Sequence, residues 1–96
     1  NLNEKIVRHI ISELMCNNYI SLKETGEIFS LPEKEIKNSI GFRENKFEEF
    51  VNEELLNIDK NTIFKVSEKG RFFIRNIAAK FDPQIKSETK RFSNSL

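Results

Sequence analysis

Ninety-six residues, 38% of them hydrophobic and 32% charged, suit one globular domain with a modest core and exclude a disordered or fibrous chain. A formal charge of +1 supplies no bulk attraction to nucleic acid or to an anionic membrane. The lone cysteine, Cys16, excludes an internal disulfide and fits a reducing, cytoplasmic setting, while no apolar run approaches the roughly 20 residues that span a bilayer.

In chain order, Asn3 to Cys16 reads as a first helix. Ile6, Val7, Ile10, Ile11, Leu14 and Met15 form its apolar stripe, and Asn17-Asn18 ends it, because asparagine tolerates the left-handed conformation. His9 lies beside that stripe, with no second histidine or nearby cysteine to make a metal site. Ser21-Leu22-Lys23-Glu24 is a capping box that opens a short helix to about Phe29, with Leu22, Ile28 and Phe29 facing inward. Ser30-Leu31-Pro32-Glu33 repeats the signature, with proline in the first turn of a third helix that Gly41 ends. Glu44 to Leu56 reads as a fourth helix, presenting Phe47, Phe50, Val51, Glu54 and Leu55.

The period then changes. Asp59-Lys60-Asn61 is a turn cluster, and Thr62 to Val66 is rich in β-branched and aromatic residues, so a small antiparallel hairpin is expected. Ser67 to Asp82 reads as one capped amphipathic helix. Phe73, Ile74, Ile77, Ala78 and Phe81 share a face, and Arg71 and Arg75 stand one turn apart. Gly70 in its first turn would let another backbone come close. Asp82-Pro83 stops the helix, and residues 83–96 form a polar tail. The expected fold is therefore mainly α with one β-hairpin, a winged-helix-like domain over residues 1–82.

Nine phenylalanines stand against one tyrosine and no tryptophan. Either they build a Phe-rich core or some lie on a surface that another domain covers. The opening Asn1-Leu2-Asn3 lacks an initiator methionine, as expected of a piece of a longer protein.

The winged-helix order raises a DNA- or protein-binding module as the alternative, since that scaffold serves both, but the residues argue against DNA. The third helix offers Lys34, Lys37 and Asn38 beside Glu33 and Glu35, and the hairpin turn sets Asp59 against Lys60. A surface so nearly neutral would release few counterions. Nothing resembles an autonomous active site either. The chain has no glycine-rich phosphate loop and no clustered His and Cys. Glu48-Glu49 and Glu53-Glu54 are sequence neighbours that diverge on a helix, and Cys16 reads as an inert, partly buried thiol.

Leu14-Met15-Cys16-Asn17, then Val66-Ser67-Glu68-Lys69-Gly70-Arg71, Arg75-Asn76-Ile77-Ala78 and Phe81-Asp82, resemble the C-terminal domain of the bacterial oxygen-independent coproporphyrinogen III oxidases. The likeness runs from about Ile6 to Asp82. It implies a parent enzyme of the radical S-adenosylmethionine class, whose N-terminal barrel would hold a four-iron four-sulfur cluster on three cysteines. That enzyme would oxidatively decarboxylate two propionates of coproporphyrinogen III, giving protoporphyrinogen IX for haem synthesis. The cluster and S-adenosylmethionine belong to the barrel, so this piece is expected to hold no cofactor or metal and to be inactive alone.

On the same resemblance, the expected partners are the barrel and the tetrapyrrole substrate, not nucleic acid or membrane. Met15, Asn17, Phe73 and Asn76 are expected at the barrel contact. Arg71 and Arg75 are candidates to pair with substrate propionates, since guanidinium matches carboxylate bidentately; salt bridges or solvent are the alternative. The haem-chaperone-like proteins of the same superfamily share the general domain, but the Met-Cys-Asn and Arg-Asn-Ile-Ala residues favour the oxidase.

Overall fold

The computed structural model describes residues 1–84, so the expected tail beyond Gln84 lies outside the described residues. Helix α1, Leu2–Asn17, opens on Asn1, whose side chain accepts from the Glu4 N–H at 2.9 Å. It closes at Asn18, a left-handed residue with φ 57° that donates its N–H to the Leu14 carbonyl at 2.8 Å. Ile6, Val7, Ile10 and Leu14 are its buried face.

A strand follows that the sequence did not announce: β1, Tyr19–Ser21. Three residues are too few for a periodic signal, and β1 exists because β3 pairs with it. Strands β2, Leu56–Asp59, and β3, Ile63–Val66, make the expected hairpin, and the antiparallel sheet runs β1-β3-β2. Lys60 and Asn61 both have positive φ, the requirement of a primed hairpin turn, and the Thr62 N–H closes it on the Asp59 carbonyl at 3.0 Å.

Between β1 and the hairpin lie α2, Leu22–Phe29, and α3, Glu33–Ser39. Ser21 caps α2 through the Glu24 N–H at 3.2 Å. Thr62 adds two more bonds, accepting from the Leu22 N–H on its carbonyl and from the Lys23 N–H on its hydroxyl. The far end of the hairpin is thereby fastened to the first turn of α2. This order of helices and strands, closed by a three-stranded antiparallel sheet, is the winged-helix arrangement.

Several local expectations need correction. The inward residues of α2 are Leu22, Thr25 and Gly26, with Phe29 half-buried, whereas Ile28 is 63% exposed. Spacing of three and four from Leu22 reaches Thr25, Gly26 and Phe29, and position 28 falls off that face. Gly26 is where α3 approaches: a Cβ there would stand 2.6 Å from the Leu31 carbonyl oxygen. Ser30 does not begin α3. It ends α2 in a left-handed conformation with φ 57°, and Pro32 occupies the cap of α3. The fourth helix shrinks to α4, Glu48–Asn52, because Glu54 turns to φ 62° and Leu56 is already in β2. Val51 and Glu54 are exposed, while Phe47, Phe50 and Leu55 are buried.

The closing segment is not one helix. A 3₁₀ turn, Lys69–Phe73, leads into α5, Ile74–Ala79, and the two meet at Phe73 with φ −121° and ψ 22°. The expected cap is present, since the Ser67 hydroxyl accepts from the Gly70 N–H at 2.9 Å. Tertiary contact overrides the regular helix, and the reason lies at Gly70, described below.

The core sits between α1, the sheet and the closing segment. Phe47, Phe64 and Phe81 form a three-ring cluster with centroids 4.7 to 5.3 Å apart, each fully buried. Together with Phe50 these rings make a Phe-rich core.

Candidate functional site

The region that carries the resembling residues is built on a three-point anchor. The Ser67 N–H donates to the Leu55 carbonyl at 3.0 Å, and its hydroxyl donates to the Glu54 carbonyl at 2.8 Å while accepting from Gly70. One serine thus joins the loop before β2 to the 3₁₀ turn. Gly70 then lies directly on Leu55, where a Cβ would stand 2.1 Å from the carbonyl oxygen and 2.9 Å from Val66 Cγ1. Only glycine fits this contact.

What the anchor holds outward is Arg71, Phe72 and Arg75. Both arginines are exposed, and neither guanidinium makes a hydrogen bond or ion pair among the described residues. The expected stacking of Arg71 on Arg75 presupposed an uninterrupted α-helix. The segment breaks at Phe73, so Arg71 belongs to the 3₁₀ turn and Arg75 to α5.

Phe72 is 82% exposed, the most exposed large hydrophobic residue among the described residues. The expected contact residue, Phe73, is instead half-buried and packed on the domain's own core. The signal available was the run Gly70-Arg71-Phe72-Phe73: with Gly70 fixed inward, a 3₁₀ turn of three residues brings Phe73 inward and leaves Phe72 outside.

The other expected contact residues are spread out. Met15 is 43% exposed on the last turn of α1, and Asn17 is exposed with its amide donating to Glu13 Oε1 at 3.0 Å. Asn76 is half-buried on α5 and is engaged within the structure. Helices α1 and α5 pack on each other, and the Val66 N–H donates to the Asn18 carbonyl at 2.9 Å, which joins the residue after the first resembling stretch to the start of the second. Cys16 is exposed, not partly buried as expected, because it falls on the outer side of α1 beyond Leu14.

Three further features stand apart from the surface of Arg71, Phe72 and Arg75. A cleft of about 430 Å³ runs between the start of α1, the end of α3 and the chain after α5, lined by Asn3, Arg8, Ile11, Asn38, Ser39 and Asp82 among others. Lys46 is half-buried and caps the carboxyl end of α3, donating to the carbonyls of Ile40 and Gly41. Burial holds its pKa below the ordinary lysine value. The charges of Arg43 and Lys80 act in the same direction and Asp82 opposes them. His9 meets the Phe29 ring edge-on, with centroids 5.6 Å apart.

Among the described residues no group of three or more His, Cys, Asp or Glu side chains is placed to hold a metal ion. A single cysteine cannot supply the thiolates of an iron–sulfur cluster, so Cys16 does not fit that group. No helix of the described residues is long and apolar enough to cross a membrane.

Fold and site together define a mainly helical, winged-helix-like domain with a small three-stranded antiparallel sheet and an exposed closing segment that carries Arg71, Phe72 and Arg75. Compared with known proteins, the chain matches no family model, no curated protein and no solved structure.

Proposed function

We propose that this domain is the C-terminal cap of an oxygen-independent coproporphyrinogen III oxidase, bracing a radical S-adenosylmethionine barrel and taking no catalytic part alone. The observation that carries the reading is the ordered pair of stretches Leu14 to Asn17 and Ser67 to Asp82, set on helices that pack together. Within the second stretch, Gly70 and Arg71 have distinct physical duties: one seats the turn on Leu55, the other stands free beside Phe72. A brace has use for such a surface. Covering a phenylalanine side chain gives about 2 kcal/mol of docking free energy.

The reading places the oxidase chemistry, the cluster and S-adenosylmethionine on the barrel, in a cytoplasmic setting. It leaves two duties open to Arg71 and Arg75, contact with substrate propionates or contact with the barrel. Single substitutions Arg71→Met and Arg75→Met in the full-length enzyme separate them, with turnover and melting temperature measured together. Turnover lost at unchanged stability assigns substrate contact. Loss of both assigns the brace, and unchanged values of both contradict each duty.

A further inference from the structure

We propose that Phe72, flanked by Arg71 and Arg75, is the anchor of a docking surface for a folded protein domain that presents an apolar pocket rimmed by carboxylates. The partner is the remainder of the parent chain, so the inference rests on the cap reading above and deepens it by naming the contact face.

Three observations carry it. The domain buries Phe47, Phe50, Phe64 and Phe81 to 2% exposure or less, yet leaves Phe72 at 82%. Aromatic rings and arginines are the residue types that dominate interface energetics when they are later desolvated. Next, the ring is held out by structure, not by a loose loop. Gly70 on one side is wedged against Leu55 and Phe73 on the other packs on the core, so Phe72 cannot turn inward without dismantling the Ser67 anchor. Such pre-organisation lowers the entropic cost of binding.

The third observation is charge. Arg71 and Arg75 are exposed and find no carboxylate among the described residues, while the one acidic side chain between Ser67 and Arg75, Glu68, precedes them. Lys69 is already directed to the Glu53 carbonyl at 3.4 Å. Two exposed arginines within three residues of Phe72, with no carboxylate partner among the described residues, call for carboxylates opposite. A second copy of this chain is a poor occupant, since a two-fold contact centred on Phe72 would bring like charges together. Nucleic acid is also a poor occupant: the net charge is +1, and Lys37 on α3 is paired with Glu33 at 3.4 Å.

The test leaves Phe72 in place and reads its exposure by hydroxyl-radical labelling of the ring, followed by mass spectrometry of the peptide containing position 72, in the 96-residue chain and in the full-length protein. The expected result is fast labelling in the short chain and labelling slowed roughly tenfold or more in the full-length protein. Adding Arg71→Glu and Arg75→Glu to the full-length protein is expected to restore the fast rate. A circular dichroism melt of each variant shows that it is folded.

Equal rates in the two proteins overturn the proposal. Slowing that survives the charge reversal overturns the carboxylate rim. Slowing in the short chain that grows with its own concentration makes a second copy the occupant, and slowing there by an added DNA duplex makes nucleic acid the occupant; either overturns the proposal. Absence of a cluster-binding cysteine trio upstream of Asn1 would defeat the cap reading, whereas the labelling rates report the surface independently.

Discussion

Gly70 rests on the carbonyl of Leu55 so closely that a single methyl group would stand 2.1 Å from the oxygen. That carbonyl is not free to move, because it accepts the Ser67 N–H at 3.0 Å and immediately precedes β2. The contact breaks the closing segment into a 3₁₀ turn and α5, and it decides which side chains face out.

Gly70→Ala is therefore expected to destabilise the domain by at least about 2 kcal/mol, since backbone would have to shift to admit the methyl. Gly26→Ala, where the added Cβ meets the Leu31 carbonyl at 2.6 Å, is expected to cost less. Gly41→Ala has open contacts beyond 3.4 Å but a φ of +62°, so its cost is the left-handed penalty of about 1 kcal/mol. Urea unfolding of the three variants checks the ranking.

Ser67 ties three backbone groups together. Ser67→Ala keeps its N–H bond to Leu55 but orphans the Gly70 N–H and the Glu54 carbonyl. A loss of about 1–2 kcal/mol is expected. Amide hydrogen exchange at Gly70 and Arg71 should accelerate more than exchange in α1, because the damage is local to the anchor.

Two phenylalanines of the same chain should behave oppositely. Phe47 touches the rings of Phe42, Phe64 and Phe81 and is fully buried. Phe47→Ala is expected to cost about 3–5 kcal/mol, enough to threaten folding of a domain this small. Phe72→Ala should change the stability of the 96-residue chain by less than about 0.5 kcal/mol. Thermal melts of the two variants decide it.

Lys46 gives a pH dependence whose sign can be worked out. Its pKa in the folded chain lies below the ordinary value, chiefly through burial. The folded chain therefore releases this proton before the unfolded chain does, and stability contributed at this site rises with pH across the interval between the two pKa values. Below that interval the penalty for the buried ammonium is constant. The difference in unfolding free energy between the natural chain and Lys46→Met should grow as pH is raised from about 8 to about 10. A flat or falling difference would refute the assignment.

Much of this architecture was legible in the sequence because its signals are local. Asn18 and Gly41 end helices by tolerating positive φ, Ser21 caps α2, and Lys60-Asn61 turns the hairpin. Two of the misreadings fall where a distant part of the chain decides. Tyr19–Ser21 is a strand because β3 lies beside it, and the helical spacing of residues 67–82 yields to Leu55. Ser30 looked like the start of α3 but ends α2, since capping residues suit either duty. At the candidate site, the arginines and Gly70 were visible by type and spacing. Phe72 was not, because its exposure follows from a 3₁₀ turn that only the Gly70 contact enforces.

The central claim is that the domain caps an oxidase whose chemistry lies elsewhere in the same polypeptide. The most direct measurement is anaerobic conversion of coproporphyrinogen III by the full-length protein with its iron–sulfur cluster reconstituted, compared with the same protein ended before Asn1. The account expects decarboxylation to protoporphyrinogen IX by the full-length protein, and its loss or severe reduction when the domain is removed although the cluster is retained. A full-length protein that binds no iron–sulfur cluster, or a truncated one that turns over at the full rate, would contradict it.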